Sequence, residues 1–335
     1  MKRREFIRLA CGTSVLAAAT SRSAWAVEPQ KMYRLAILHT SHPVSELTEN
    51  SHFKYWREFF HELRQLGYIE GNNLVVERFT GEGRFDRYPE LAREAADRNP
   101  NVIFAISPGM VSPLKEATST IPIVAITSDP VQAGLVTSMA RPGGNITGVS
   151  VDAGPELWEK RLQLFREVVP TISKLAILIA EKNPEAAVMQ ETAEKAGLGV
   201  VGPLYVTKGS NDEYQEVFAT MSQSGANGLF VDDAPEHITK RQLVGELAAK
   251  YRLPAIYPYP VFVEAGGLMS YGTDLVEVFR QGAREIDQIL KGASPADIPF
   301  YQPTKFELVI NLKAAKEFGL TVSEPLLARA DEVIE

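Results

Sequence analysis

The sequence predicts an α/β protein built from two doubly wound parallel-sheet lobes joined by three crossover strands. Three observations carry this. Short runs rich in Val, Ile and Ala alternate with longer amphipathic stretches, the pattern of strands buried on both faces and helices that cover them. The alternation restarts in mid-chain, where "RLAILHTSHP" at 34–43 is echoed by "KLAILIAEKNP" at 174–184. After residue 265 the order changes, and the remaining segments are too few for a third domain.

The first half opens with the strand "YRLAILHT" and the helix "SHFKYWREFFHELRQLG", whose Phe53, Trp56, Phe60 and Leu63 share one face and belong in the core. "NLVVERFT", the helix "YPELAREAADRN", the strand "VIFAIS", the helix "SPLKEATS" and "IPIVAIT" complete a βαβαβαβ run. Asp129 and Pro130 then read as the N-cap and first residue of a helix with an apolar stripe of Val131, Leu135 and Met139. In "RPGGNITGVS", Pro142, Gly143, Gly144 and Gly148 end that helix and suit a first crossing between lobes.

The second half runs through "EAAVMQETAEKAG", "VVGPLYV", "NDEYQEVFATMSQSG", "NGLFVDDA", "ITKRQLVGELAAKYR" and "LPAIYP". Then come "GGLMSYGTD", the long helix "LVEVFRQGAREIDQILKG", the proline-rich "ASPADIPFYQP" and "KFELVINLKAAKEFGL". Returning the 274–291 helix to the first lobe and the last segment to the second is the economical placement. It gives three crossings and a clamshell, with lobes at 31–146 plus 272–300 and 147–268 plus 305–335.

The ends and the composition narrow the function. "MKRREFIR", "LACGTSVLAAAT" and Ala24-Trp25-Ala26 read as the basic, apolar and cleavage regions of a signal peptide cut after Ala26. Arg3-Arg4 before Phe6-Ile7 resembles a twin-arginine signal, against a plain Sec signal as the alternative. The apolar run is too short to span a bilayer, so the mature protein is expected in the periplasm with no membrane insertion. Cys11, the only cysteine, lies in this leader, so cleavage removes any disulfide, thiolate metal site or thiol nucleophile. The chain carries a formal charge of −7, and loss of the basic leader makes it more acidic. Such a charge argues against nucleic acid or anionic membrane as a partner.

In open α/β sheets, ligands bind beyond the carboxyl ends of the strands. That rule selects His39, Thr40, Ser41 and His42, then Ser107, Pro108, Gly109 and Met110, then Thr127, Ser128 and Asp129 in the first lobe. In the second it selects Glu181, Lys182 and Asn183, then Asp232 and Asp233, then Tyr257, Pro258 and Tyr259 with Phe262. Hydroxyls and helix-starting N–H groups suit a carboxylate or small anion. Acids and aromatic faces suit an ammonium and a flat group. Together they suit a small zwitterion or aromatic acid. The ordinary alternative for each loop is helix N-capping.

Nucleotide loops and the G-x-S-x-G elbow are absent, and "GEGRFD" at 81–86 is a loop. His39 and His42 are better read as hydrogen-bonding cleft histidines than as metal ligands. No cofactor and no metal are expected. Gly266, Gly267 and Gly272 read as linker glycines.

The segments "TSTIPIVAITSDPVQAGLVTSMARPGGNITGVS", "FVEAGGLMSYGTDLVEVFRQGAREIDQILKGASPADIPFYQPTKFELVINLKAAKEFGL" and "LLARADEVIE" resemble the ABC-transporter substrate-binding family related to tryptophan/tyrosine-binding periplasmic receptors. The resemblance covers essentially the whole mature chain. It implies a type I periplasmic-binding-protein fold, closing on a solute that is handed to a permease and ATPase, without catalysis. It implies crossings at "NITGVS", "GGLMSYG" and "KFELVI". It implies a cleft lined by the Ser107-Pro108 loop and Thr127-Ser128-Asp129, facing Asp232 and the Tyr257–Phe262 segment. The loops "HTSHPVSELTEN" and "FVDDAPEH" vary widely among such receptors, so amino acids, amines and aromatic carboxylates all stay open. A monomeric receptor is expected; a periplasmic enzyme and a receptor feeding a membrane sensor are the alternative readings.

Overall fold

A computed structural model describes residues 31–151, 154–180 and 185–335. The expected signal peptide and Asn183 lie outside the described residues. The first lobe holds five parallel strands: β1 (Tyr33–His39), β2 (Leu74–Thr80), β3 (Val102–Ile106), β4 (Ile123–Thr127) and β5 (Ile146–Ser150). Their order is β2-β1-β3-β4-β5. The helices α1 (Lys54–Gln65), α2 (Tyr88–Asp97) and α3 (Pro108–Ala117) connect the first four.

The strands are apolar on both faces because both are covered. Leu35 and Ile37 of β1 point into one core with Trp56, Phe59 and Phe60 of α1, while Ala36 and Leu38 point into the other with Leu91 and Leu114 of α2 and α3. The expected α1 core stripe of Phe53, Trp56, Phe60 and Leu63 is buried.

The second lobe continues through α4 (Pro155–Val168), β6 (Lys174–Ile179), α5 (Glu185–Lys195), β7 (Gly199–Tyr205), α6 (Asn211–Gln223), β8 (Gly228–Val231), α7 (Pro235–Thr239), α8 (Arg241–Lys250), β9 (Ala255–Tyr257) and α9 (Pro260–Glu264). After β10 (Met269–Thr273) the chain passes to α10 (Leu275–Leu290), and it returns as β11 (Phe306–Asn311), α11 (Leu312–Glu317), α12 (Glu324–Leu327) and β12 (Glu332–Ile334). The sheet order is β12-β11-β10-β9-β8-β6-β7. Helix α10 belongs to the first lobe: Phe279 meets Trp56 edge-on at 4.8 Å, and Arg280 and Arg284 pair with Glu58 and Glu62 of α1.

The two α/β lobes are as expected, and the structure adds five details to the sequence reading. The second sheet is not wholly parallel, because β11 runs antiparallel to β10. The chain leaves β10 towards the first lobe and re-enters from that same side, so the returning strand must point the other way. The change of lobe at residue 147 moves to the end of β5, since Ile146–Ser150 pairs along its whole length with β4. The second changeover likewise falls after Thr273 rather than at 272, since all of Met269–Thr273 pairs with β11. The helix expected from Asp129 closes only one turn, with Ala133 N–H on the Asp129 carbonyl, before Gly134 at φ +69° ends it. Helix α3 begins at Pro108 rather than at Ser112.

Two glycines mark close backbone approach at the crossings. A Cβ on Gly148 would sit 1.9 Å from the Ala125 carbonyl oxygen, and one on Gly272 would sit 2.0 Å from that of Pro258. Gly272 is therefore a packing position within β10 rather than a linker.

Glu285 of α10 is fully buried, and its Oε2 has no hydrogen-bond partner among the described residues. Burial pushes its carboxyl up from 4.5 to about 8, only partly offset by the Gln281 amide. A group whose folded pKa is raised gives its full stability below the unfolded value and loses it as pH climbs through the folded one. Glu285→Gln should therefore raise stability by roughly 1–3 kcal/mol at pH 8 and by almost nothing at about pH 4.5. Melting curves of both proteins at the two pH values check this.

Candidate functional site

The carboxyl ends of strands from both sheets open onto one cavity of about 620 Å³. Its wall includes His39 after β1, Ser107 to Gly109 after β3, and Thr127 and Ser128 after β4. The second lobe supplies Asp233, Glu236 and Ile238 after β8 and Tyr259 after β9. Phe85, Tyr88, Tyr55 and Phe279 add aromatic surface, and Val151 and Leu275 sit where the chain changes lobe.

His39 is a neutral donor. Its Nδ1 accepts the N–H groups of Ser41 (3.1 Å) and His42 (2.9 Å). An atom with two incoming N–H groups carries no proton, so the proton is on Nε2. Burial holds the ring down at about 3, which keeps it uncharged at any ordinary pH. Thr127 adds a second donor: its hydroxyl is buried, on the cavity wall, and without a hydrogen-bond partner among the described residues.

Ser107 is the N-cap of α3, and its Oγ accepts the Gly109 N–H at 3.3 Å, leaving the hydroxyl proton to point elsewhere. Its φ of +81° is unusual for a residue with a side chain, and such strain concentrates at functional sites. Pro108 has no N–H, and the Val131 and Gln132 N–H groups are taken by the Asp129 carboxylate. The first lobe thus offers the cavity hydroxyls and an imidazole N–H in place of the bare helix N–H groups that the sequence suggests.

Side chains of the two lobes also touch. The Tyr88 hydroxyl donates to Glu236 Oε1 at 2.8 Å, Ser41 Oγ lies 2.9 Å from Thr239 Oγ1, and His42 Nδ1 lies 2.8 Å from the same oxygen. Arg241 covers the ring of Phe53 at 4.7 Å. Glu236 is buried in this contact, and burial raises its carboxyl above the ordinary range.

Of the residues expected from sequence, Ser107, Pro108, Gly109, Thr127, Ser128 and Tyr259 line the cavity. Thr40, Ser41, Asp129, Asp232, Tyr257 and Phe262 are not on its wall. Thr40 is buried, with its carbonyl oxygen 3.3 Å from the Tyr88 hydroxyl; Ser41 faces Thr239; Asp129 caps its own turn. Tyr257 and Phe262 stack on each other at 4.8 Å within the core.

Asp232 is wholly buried, accepting the N–H groups of Ala180 and Ala234 and facing His237 Nε2 at 3.1 Å. The acid of that pair on the cavity wall is Asp233. Tyr88 and Phe85 were missed because the loop after β2 was not counted among the strand ends, although the same rule selects it. Phe279 was missed because a helix returning from the other lobe carries it.

Two α/β lobes that turn their strand ends to a shared cavity have the architecture of the periplasmic-binding-protein fold. The chain belongs to the ABC transporter substrate binding protein family, whose model matches residues 46–334. It is 26% identical over 298 residues to a tyrosine-binding protein of Clostridioides difficile, covering 86% of this chain and 84% of that one. It superposes with a TM-score of 0.81 on a conserved domain protein from Vibrio cholerae, at 24% identity over 90% of this chain and all of the other. It superposes with a TM-score of 0.80 on an ABC domain from Streptococcus pneumoniae in complex with L-Trp, at 24% identity over 91% of this chain and all of that one. Among the described residues no helix is long and apolar enough to cross a membrane.

Ser107 gives a test of the local geometry. Ser107→Ala loses the cap while keeping a Cβ at positive φ, and should cost about 1–2 kcal/mol. Ser107→Gly loses the same cap but relaxes the backbone, and should cost only a few tenths. Urea unfolding of the two variants beside the native chain measures the difference.

Proposed function

We propose that this chain is the exported solute receptor of an ABC importer and that its two lobes close on a free aromatic amino acid. The observation that carries the reading is the division of labour around the cavity. His39 Nε2–H and the hydroxyls of Thr127, Ser128 and Ser107 meet the carboxylate from the first lobe. Asp233 meets the ammonium from the second. Phe85, Tyr88, Tyr259 and Phe279 hold the ring. The tyrosine-binding relative and the L-Trp-bound neighbour support this class of ligand.

The mature receptor begins after Ala26 in the periplasm and delivers its solute as a monomer to a permease and ATPase. It performs no catalysis. The passages after Ser150, after Thr273 and around Tyr301 absorb the rotation as the lobes open and close.

A thermal-shift titration with L-tryptophan and L-tyrosine tests the reading. At 100-fold excess over Kd, either should add about 2.7 kcal/mol, a shift of several degrees. Asp233→Asn should weaken binding roughly 10- to 100-fold. The absence of any shift with both amino acids, or turnover of either, would overturn the proposal.

A further inference from the structure

The Asp232–His237–Tyr214 cluster and the groove between α4 and α5 lie outside the cavity, but the first is buried packing and nothing in the structure shows what covers the second. The interlobe contact at His42 carries more. Its ring lies between His39 at 4.2 Å and Phe53 at 4.3 Å, stacked on both faces. In the plane, Nε2 is 2.8 Å from the Tyr55 hydroxyl and Nδ1 is 2.8 Å from Thr239 Oγ1 across the cleft. The proton order is set at the far end. With the Thr239 hydroxyl proton on the Pro235 carbonyl at 3.1 Å, Thr239 Oγ1 accepts from both the Ser41 hydroxyl and His42 Nδ1–H. Nε2 is then the acceptor of the Tyr55 proton. A second ring proton would leave the buried Tyr55 hydroxyl without an acceptor.

We propose that His42 is the positioning residue of lobe closure: its neutral ring completes a hydrogen-bonded chain from Tyr55 through Thr239 to Pro235, so that closure and ligand retention weaken as the surroundings turn acidic. This rests on the reading of the protein as a receptor that opens and closes.

Burial, His39 and Arg241 oppose a charge on the ring, while Glu236, whose carboxyl burial raises in the same interlobe contact, acts in the opposite sense on closure. From its own loop, His39 is neutral, with Nδ1 occupied by two N–H groups of the same turn. From α1 comes Tyr55, whose ionisation burial suppresses. From the short helix Val44–Glu46 that follows His42, Glu46 acts on Tyr55 but is engaged by Ser51 and His52. From β2 comes only the Thr80 hydroxyl, on the His42 carbonyl. From α7 come Thr239 and, further along, Glu236, which is bound to Tyr88. From α8 comes Arg241, whose charge opposes a second one on the ring. Burial, His39 and Arg241 together hold His42 well below the ordinary histidine value of 6.5. In an opened cleft Thr239 and Arg241 withdraw, and water can solvate an imidazolium. Closing then expels a proton wherever the open form carries one. His39 does not share this behaviour, because its acceptor atom is committed within one lobe whether or not the other is near.

The experiment is calorimetric titration of the full mature chain with L-tryptophan, and L-tyrosine beside it, from pH 7.5 down to about 5. The expected Kd is flat at neutral pH and rises as the pH falls, by up to about tenfold per pH unit, with up to about one proton released per ligand in buffers of different ionisation enthalpy. In His42→Asn, whose amide can still donate to Thr239, the slope and the proton release should vanish. A Kd unchanged from pH 7.5 to 5, or a slope that survives in His42→Asn, overturns the latch.

If that variant fails to fold, the histidine ring signals of the native chain decide. His42 should take up its proton at a higher pH without ligand than with it, and stay neutral to pH 5 with it. Failure of both amino acids to bind at pH 7.5 strikes the ligand reading alone. The latch is then judged on the unliganded ring, and one that stays neutral down to pH 5 overturns it.

Discussion

Because the chain enters the second lobe after β5, returns after β10 and crosses again near Tyr301, both sheets must turn their carboxyl edges to the same gap. Every other feature of the site is conditional on that. Strand ends are where the chain passes from buried apolar backbone to helix starts, and there hydroxyls, acids and an imidazole can be held at fixed places. The constraint also explains the odd strand: β11 enters its sheet from the gap and can only run antiparallel to β10. Gly148 and Gly272 fall where backbone carbonyls approach most closely beside these passages.

The second lobe's wall is held by a carboxylate that never reaches the cavity. Asp232 ties the end of β6, through the Ala180 N–H, to the start of α7, through Ala234, and faces His237. His237 is in turn bound by the Tyr214 hydroxyl of α6 at 2.7 Å. This fixes a helix of five residues that could not hold its shape alone. That helix carries Glu236 to Tyr88 and Thr239 to Ser41 and His42. A buried acid is costly unless satisfied, and here its partners are the backbone groups whose position matters.

The architecture was legible in the sequence because it rests on apolar periodicity, which the central strands β1, β3, β4, β6 and β8 obey, while β10 is buried with Ser270 and Thr273 in it. The site was half legible. Ser107, Thr127, Ser128 and Tyr259 follow from the strand-end rule, but the rule does not say which way a side chain turns. Asp232 and Asp233 are neighbours with opposite fates, since successive residues at a strand end face opposite sides. The helix expected at Asp129 has a good cap and a good stripe, yet Gly134 adopts a conformation that stops it. Phe279 and the His42–Thr239 contact depend on tertiary return of the chain, and local pattern holds no trace of it.

Among the described residues, no lysine or arginine lines the cavity. A carboxylate there must be met by neutral donors, and these are what the first lobe supplies: an imidazole fixed as an Nε2–H tautomer and hydroxyls that their own lobe leaves unused. Neutral donors are weaker than a guanidinium, so a ligand bearing only negative charge would lose more hydration than it regains. On the proposed reading, Asp233 tilts the balance further against a plain anion and towards a molecule that brings its own cation, and the aromatic walls favour a flat side chain. The proposed site then discriminates first by charge pattern, zwitterion over anion, and second by shape.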